Sequence, residues 1–166
     1  KPYEQGSVLT HNVNFAGDQV QLAGQIDYPS APIPLSGYPL IFILQNAGCT
    51  GRGGYDSYAR MGTSAGYAVF RWDKRGTGAS GSSGNGSAEM DALKAYKTAL
   101  KLSSVDRQRA IILAQSEGTL LLHKHYDLFV QEQSPRALIL IGNMLNEDQI
   151  VKLPEPVHFI TGDEDW

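Results

Sequence analysis

Short apolar runs separated by amphipathic segments constrain this chain more than any other feature. The runs are "PLIFIL" (39–44), "YAVFRW" (67–72), "AIILA" (110–114), "ALILIG" (137–142) and "VHFITG" (157–162). They are too short for helices and rich in Ile, Val and Phe. They lack period-2 alternation, so they read as strands buried on both faces, as in a parallel sheet. Between them lie segments of helical period. "SAEMDALKAYKTALKL" (87–102) places Met90, Leu93, Tyr96 and Leu100 on one face. "GTLLLHKHYDLFVQ" (118–131) does the same with Leu121, Leu122, His125 and Phe129. Residues 55–65 form a weaker helix and 146–152 a short one. Strand and helix in alternation predict an α/β fold: an open, mostly parallel sheet with helices on both faces.

The front of the chain departs from this rule. "SVLTHNVNF" and "QVQLAGQIDYP" alternate apolar and polar residues around "AGD" (16–18). They predict an N-terminal antiparallel hairpin with one wetter face, at the sheet edge. Residues 29–38 are a Pro/Ser/Gly connector. Residues 76–87, "GTGASGSSGNGS", read as a mobile glycine-serine loop. No repeat and no second domain is visible, so residues 1–166 read as a single domain, a length that allows a sizeable core.

Composition narrows the partners. The formal net charge of -3 gives no electrostatic reason to expect a nucleic acid or an anionic membrane. No apolar run is long enough to span a bilayer. The single cysteine, Cys49, rules out an internal disulfide and a cysteine-based zinc site. No metal or cofactor is implied. The chain starts at Lys1 rather than Met, so a removed leader is open and the compartment is not fixed.

Two serines compete for a chemical role. Gly62-Thr63-Ser64-Ala65-Gly66 is a literal G-x-S-x-G, whereas Ala114-Gln115-Ser116-Glu117-Gly118 misses that pattern by one methyl group. A nucleophile elbow needs a strand before the serine and a helix after it. Ser64 has the reverse context, and Gly66 reads as the residue that stops its helix. Ser116 has strand 110–114 before it and helix 118–131 after it, with small residues at 114 and 118. The competing reading of Ser116 is an N-cap opening that helix.

With these segments in place the chain resembles an α/β-hydrolase of the esterase and peptidase-like branches, from about Val13 to Trp166. "VNFAGDQVQLAGQIDYP" resembles the opening hairpin, and "FILQNAGCTGRGG" the loop after the third strand that carries the oxyanion hole. "GYAVFRWDKRGTGASG" resembles the D-x-R-G-x-G-x-S segment, "SVDRQRAIILAQSEG" the approach to the elbow, and "VHFITGDEDW" the strand and turn that present the acid. The resemblance implies Ser116 as nucleophile and the backbone N–H of Glu117 as one oxyanion donor. It implies Ala47 as the other donor, within a residue or two of register. Asp165 falls at the acid position, ahead of Asp163. The implied activity is cleavage of a small-molecule carboxylic ester, less readily an amide or peptide, through an acyl-enzyme.

The family order is serine, acid, histidine, and the chain ends one residue after Asp165. The resemblance therefore implies a domain incomplete at its C-terminus, with the last strand, the histidine loop and the last helix missing. None of the four histidines is a natural base. His11 lies in the front hairpin, His123 and His125 on the helix after the elbow, and His158 within a strand. Three accounts follow: a fragment, a chain completed by another, or a non-catalytic relative. The missing segment should leave an exposed sheet edge open to association. The short stretch between strands 137–142 and 157–162 leaves no room for a lid of any size.

Other signals read more plainly. Gly76 to Gly81 matches G-x-G-x-x-G, but more Gly and Ser follow instead of a helix, which argues against a dinucleotide site. Asp73 and Arg75 read as braces of their loop. Cys49 reads as a small residue in a glycine-rich loop. Tyr55 and Tyr58 either line a pocket or pack their helix.

Overall fold

The computed structural model describes residues 9–154 and 156–162. Its strands form a seven-stranded sheet in the order β1-β2-β4-β3-β5-β6-β7. The expected hairpin, β1 (Leu9–Ala16) and β2 (Gln21–Tyr28), lies antiparallel at one edge. β2 joins antiparallel to β4 (Ala68–Trp72). From there β3 (Tyr38–Leu44), β5 (Val105–Gln115), β6 (Ala137–Ile141) and β7 (Val157–Ile160) continue in parallel.

Alternation along the central strands feeds two cores. Leu40, Phe42 and Leu44 face the larger one, where they meet Leu93 and Tyr96 of α2 (Ala88–Leu100), Leu122 of α3 (Glu117–Lys124) and Phe129 of α4 (Tyr126–Glu132). Ile41 and Ile43 face the smaller one. That core holds Tyr55, from a 3-10 turn at Arg52–Tyr55, and Ala59 of α1 (Asp56–Ser64). Helices thus cover both faces. Tyr96 is the hub of the larger core, with its ring 5.1 Å from Phe42 and 5.5 Å from Phe129. Each such aromatic pair adds about 0.5–1.5 kcal/mol beyond area burial. The short α5 (Glu147–Ile150) is held by a reciprocal cap: Asn146 accepts from the Gln149 N–H, and the Gln149 side chain accepts from the Asn146 N–H.

The structure differs from the sequence reading in several elements. The helix expected over 118–131 is two helices, broken at His125, whose N–H bonds Leu121 and whose carbonyl opens α4. Leu122 and Phe129 are buried on either side of the break, so the apolar period runs across it unbroken. β5 starts five residues early, at Val105, because polar residues 106–109 pair irregularly beside Pro39. β7 is not buried on both faces. Among the described residues it is an edge strand, with Phe159 and Ile160 46% and 51% exposed. The glycine-serine loop is tied down rather than free. Gly76 donates to Gly81 O, Gly81 to Gln21 O, and Ser87 to Asp18 Oδ2.

Buried charge organises the end of the sheet near the hairpin. Arg71, near the end of β4, donates to Asp27 at 2.8 Å, to Arg52 O at 3.1 Å and to Asp56 at 3.1 Å. Asp27 also accepts from Thr10 and Gln25. One guanidinium therefore joins β2 to the 3-10 turn and to α1. Arg71→Met leaves Asp27 buried without its partner and should cost about 3–5 kcal/mol in urea unfolding. Adding Asp27→Asn removes the stranded charge, and the double variant should recover part of that loss.

α3 lies against the end of β3 with no space between. A Cβ at Gly118 would stand 2.6 Å from Leu44 O and 2.8 Å from Gln45 O. Gly118→Ala should therefore destabilise the fold by about 1–3 kcal/mol in thermal or urea unfolding. Helix propensity alone would give the opposite sign.

Candidate active site

The site is built where β5 turns into α3. Ser116 is one residue past the end of β5 and directly precedes α3. Its φ of 51° and ψ of -118° lie in a region that residues with a side chain seldom occupy, at a cost of about 1–3 kcal/mol. Among the described residues only Gln19 shares a positive φ without being glycine. The turn is locked from several directions. The Ser116 N–H donates to Ile141 O at 2.9 Å, and the Ser116 carbonyl accepts from the Thr119 hydroxyl at 2.6 Å and the Thr119 N–H at 2.9 Å. Ser116 stands at the N-cap position, but its hydroxyl caps nothing. It points instead to Met144 Sδ, 3.6 Å away, a weak acceptor.

Ser64 sits elsewhere. It is the exposed last residue of α1, and Gly66, with φ 89°, ends that helix and turns the chain into β4.

The loop after β3 shares this end of the sheet. Leu44 and Ala114 are register partners in neighbouring parallel strands, so Ala47 and Glu117 lie equally far past a matched pair. Glu117 opens α3, and its N–H has no partner within the helix or among the other described residues. In the β3 loop the Asn46 N–H donates to the Tyr55 hydroxyl at 2.9 Å, and the Gly48 N–H to Asn46 Oδ1 at 2.9 Å. Of residues 46 to 48, Ala47 alone keeps an N–H with no acceptor among the described residues, and it is exposed. Tyr55 is buried, and burial raises its hydroxyl above the ordinary tyrosine pKa, so it stays protonated at neutral pH. It packs the core and holds the loop, which the sequence did not reveal. Tyr58 packs beside it, ring centroids 6.0 Å apart.

The segment after β4 braces this loop. Asp73, buried, accepts from the Arg52 N–H at 2.7 Å, the Arg52 guanidinium at 3.1 Å and the Ala79 N–H at 2.9 Å. Arg75 pairs with Asp91 of α2 at 2.6 Å and donates to Asp18 O at 2.8 Å. Both residues are braces, as expected, though each finds its ionic partner outside the glycine loop. Lys74 Nζ donates to Asn46 O at 2.5 Å. The Gly76–Gly81 run does not open a helix: α2 starts at Ala88, capped by Ser87. Cys49 is exposed and unpaired.

Asp165 and Asp163 lie outside the described residues. β7, which leads toward them, ends at Ile160, level with Ile141 and Gln115 in register and so at the same end of the sheet as Ser116. The histidines are not gathered at Ser116. His11 stacks edge-on to Tyr28 in the hairpin at 5.7 Å. His125 faces Glu89 of α2 at 3.9 Å. His123 lies on α3, and His158 is exposed on β7, two strands from β5. No described helix is long and apolar enough to cross a membrane.

No family model matches the chain, and no curated protein does. Solved structures do. The chain is similar to the α/β hydrolase GrgF from Penicillium sp. sh18, with a TM-score of 0.60 and 16% identity over 80% of this chain and 45% of that one. An acetyl xylan esterase from Paenibacillus sp. R4 gives 0.63 and 19% over 85% and 51%. The thermostable carboxylesterase EstE1, cloned from a metagenomic library, gives 0.65 and 18% over 83% and 48%. The chain spans about half the length of these proteins. Its strand order, its antiparallel entry hairpin and its strand-to-helix turn, together with these likenesses, show that it has the α/β-hydrolase fold.

Proposed function

We propose that this chain carries the nucleophile and oxyanion side of a serine hydrolase acting on carboxylic esters. The observation that carries the reading is the strained backbone of Ser116, locked at the end of β5 with its hydroxyl left out of the helix cap. Strain of that kind persists only where the surroundings over-determine it, and it gathers at functional sites.

The reaction follows from the groups at hand. Ser116 Oγ attacks the ester carbonyl carbon while its proton passes to an imidazole. The carbonyl electron pair moves to oxygen, where the N–H groups of Glu117 and Ala47 receive the charge. Collapse expels the alcohol, which takes the proton back, and leaves an acyl group on Ser116. Water then repeats the sequence and releases the acid. Asp165 is assigned to orient the imidazole, ahead of Asp163. The imidazole itself comes from outside the described residues, because none of His11, His123, His125 and His158 is set beside Ser116. That absence is what favours the second reading, a non-catalytic hydrolase-like scaffold.

A fluorophosphonate, which loses fluoride to an activated serine, separates the two. Mass spectrometry should find the adduct on Ser116, and Ser116→Ala should abolish it. In the labelling-competent protein Asp165→Asn should slow the reaction by about 10³–10⁴-fold, while Asp163→Asn should change it little. No adduct on Ser116 would support the scaffold, and an adduct on Ser64 would move the nucleophile there.

A further inference from the structure

Lys74 reaches the loop after β3 at a telling atom. Its Nζ lies 2.5 Å from Asn46 O. That carbonyl belongs to the same peptide unit as the Ala47 N–H. No peptide among the described residues is cis. In a trans peptide the C=O and N–H point in opposite directions. Holding Asn46 O toward Lys74 therefore turns the Ala47 N–H away from it. The preceding peptide is fixed as well, since the Asn46 N–H is held by Tyr55. Asn46 is thus clamped on both sides, by a buried phenol and by an ammonium.

The base of Lys74 is itself anchored. Its carbonyl accepts from the Thr77 hydroxyl at 2.8 Å and the Thr77 N–H at 3.0 Å. Lys74 directly follows Asp73, whose N–H bonds Ala23 O at 2.8 Å. The ammonium is therefore delivered from a fixed turn rather than from a loose loop. Its charge also has an electronic effect. A cation on a carbonyl oxygen polarises the peptide and makes its N–H a stronger donor.

We infer that Lys74 is a positioning residue for the oxyanion hole: it orients the Asn46–Ala47 peptide and strengthens the Ala47 N–H as a donor to developing negative charge. This rests on the serine-hydrolase reading above. It assigns Lys74 no contact with substrate.

The test compares a fluorophosphonate with the same reagent carrying P=S in place of P=O. Sulfur is the poorer hydrogen-bond acceptor, so the ratio of the two rates reads the oxyanion donors. It is insensitive to how well the proton is removed, which affects both reagents alike. In the Ser116-labelling protein, Lys74→Met should lower the P=O to P=S ratio by about tenfold, less than the 10²–10³ that follows loss of a whole donor. Lys74→Arg, which keeps a cation in reach, should hold the ratio within about threefold of the parent, on the same scale. If Lys74→Met does not fold, the uncharged Lys74→Gln is held to the same criterion. A parent-like ratio in the neutral variant would overturn the inference, and so would an equal fall in Lys74→Arg. Neither result touches the assignment of Ser116, which fails only if the parent protein takes no label there.

Discussion

The interaction on which the site depends is a backbone-to-backbone approach at Gly118. The first turn of α3 rests on the carbonyl oxygens of Leu44 and Gln45, where a single methyl group would not fit. This contact leaves the chain very little room to turn from β5 into α3. A gentler bend would lift the helix away from β3. The turn is instead completed at Ser116, which takes up a positive φ. The same contact brings the free N–H at the head of α3 to the end of β3, where the loop holding Ala47 begins. Strain, helix start and loop share one origin, a missing side chain at position 118.

Around this apolar and backbone framework the loops are held by charge. Asp73 gathers Arg52 and Ala79, Arg75 joins Asp91, and Lys74 holds Asn46. Loops at the open end of a sheet cannot be secured by a core, because their backbones need hydrogen-bond partners. Charged side chains with several donors or acceptors meet that need with directional bonds. Arg71 does the same deeper in the molecule. It is buried with Asp27 and extends to the backbone of Arg52.

The strands of the parallel sheet were legible because burial on both faces leaves an unmistakable composition: unbroken Ile, Leu, Val and Phe in "PLIFIL" and "AIILA". The strand-to-helix turn at Ser116 was legible from context, since the apolar run before it and the amphipathic segment after it mark a strand and a helix. Other features had no such signature. The break at His125 leaves the apolar period intact. The early part of β5 is polar, so nothing marks it as strand. That Tyr55 reaches the Asn46 N–H, or Lys74 the Asn46 carbonyl, depends on how loops distant in sequence meet in space. The register of the β3 loop was open by a residue or two, and hydrogen bonding distinguishes its members by engaging the Asn46 and Gly48 N–H groups and leaving that of Ala47 without an acceptor among the described residues.

The tip of the entry hairpin is fastened by residues far along the chain. Asp18 bonds Arg75, Ser87 and Asp91, and the Gly17 carbonyl accepts from Lys94. These bonds span 57 to 77 residues. The hairpin thus leaves the ribosome before the residues that anchor its tip. Until β4 has emerged, β1 and β2 have only each other, and an isolated two-stranded hairpin is at best marginally stable; the tip waits longer still, for α2. Closing such long loops costs entropy before any contact repays it. The order of synthesis and the order of consolidation therefore run in opposite directions here, with the N-terminal edge of the sheet waiting on the middle of the chain.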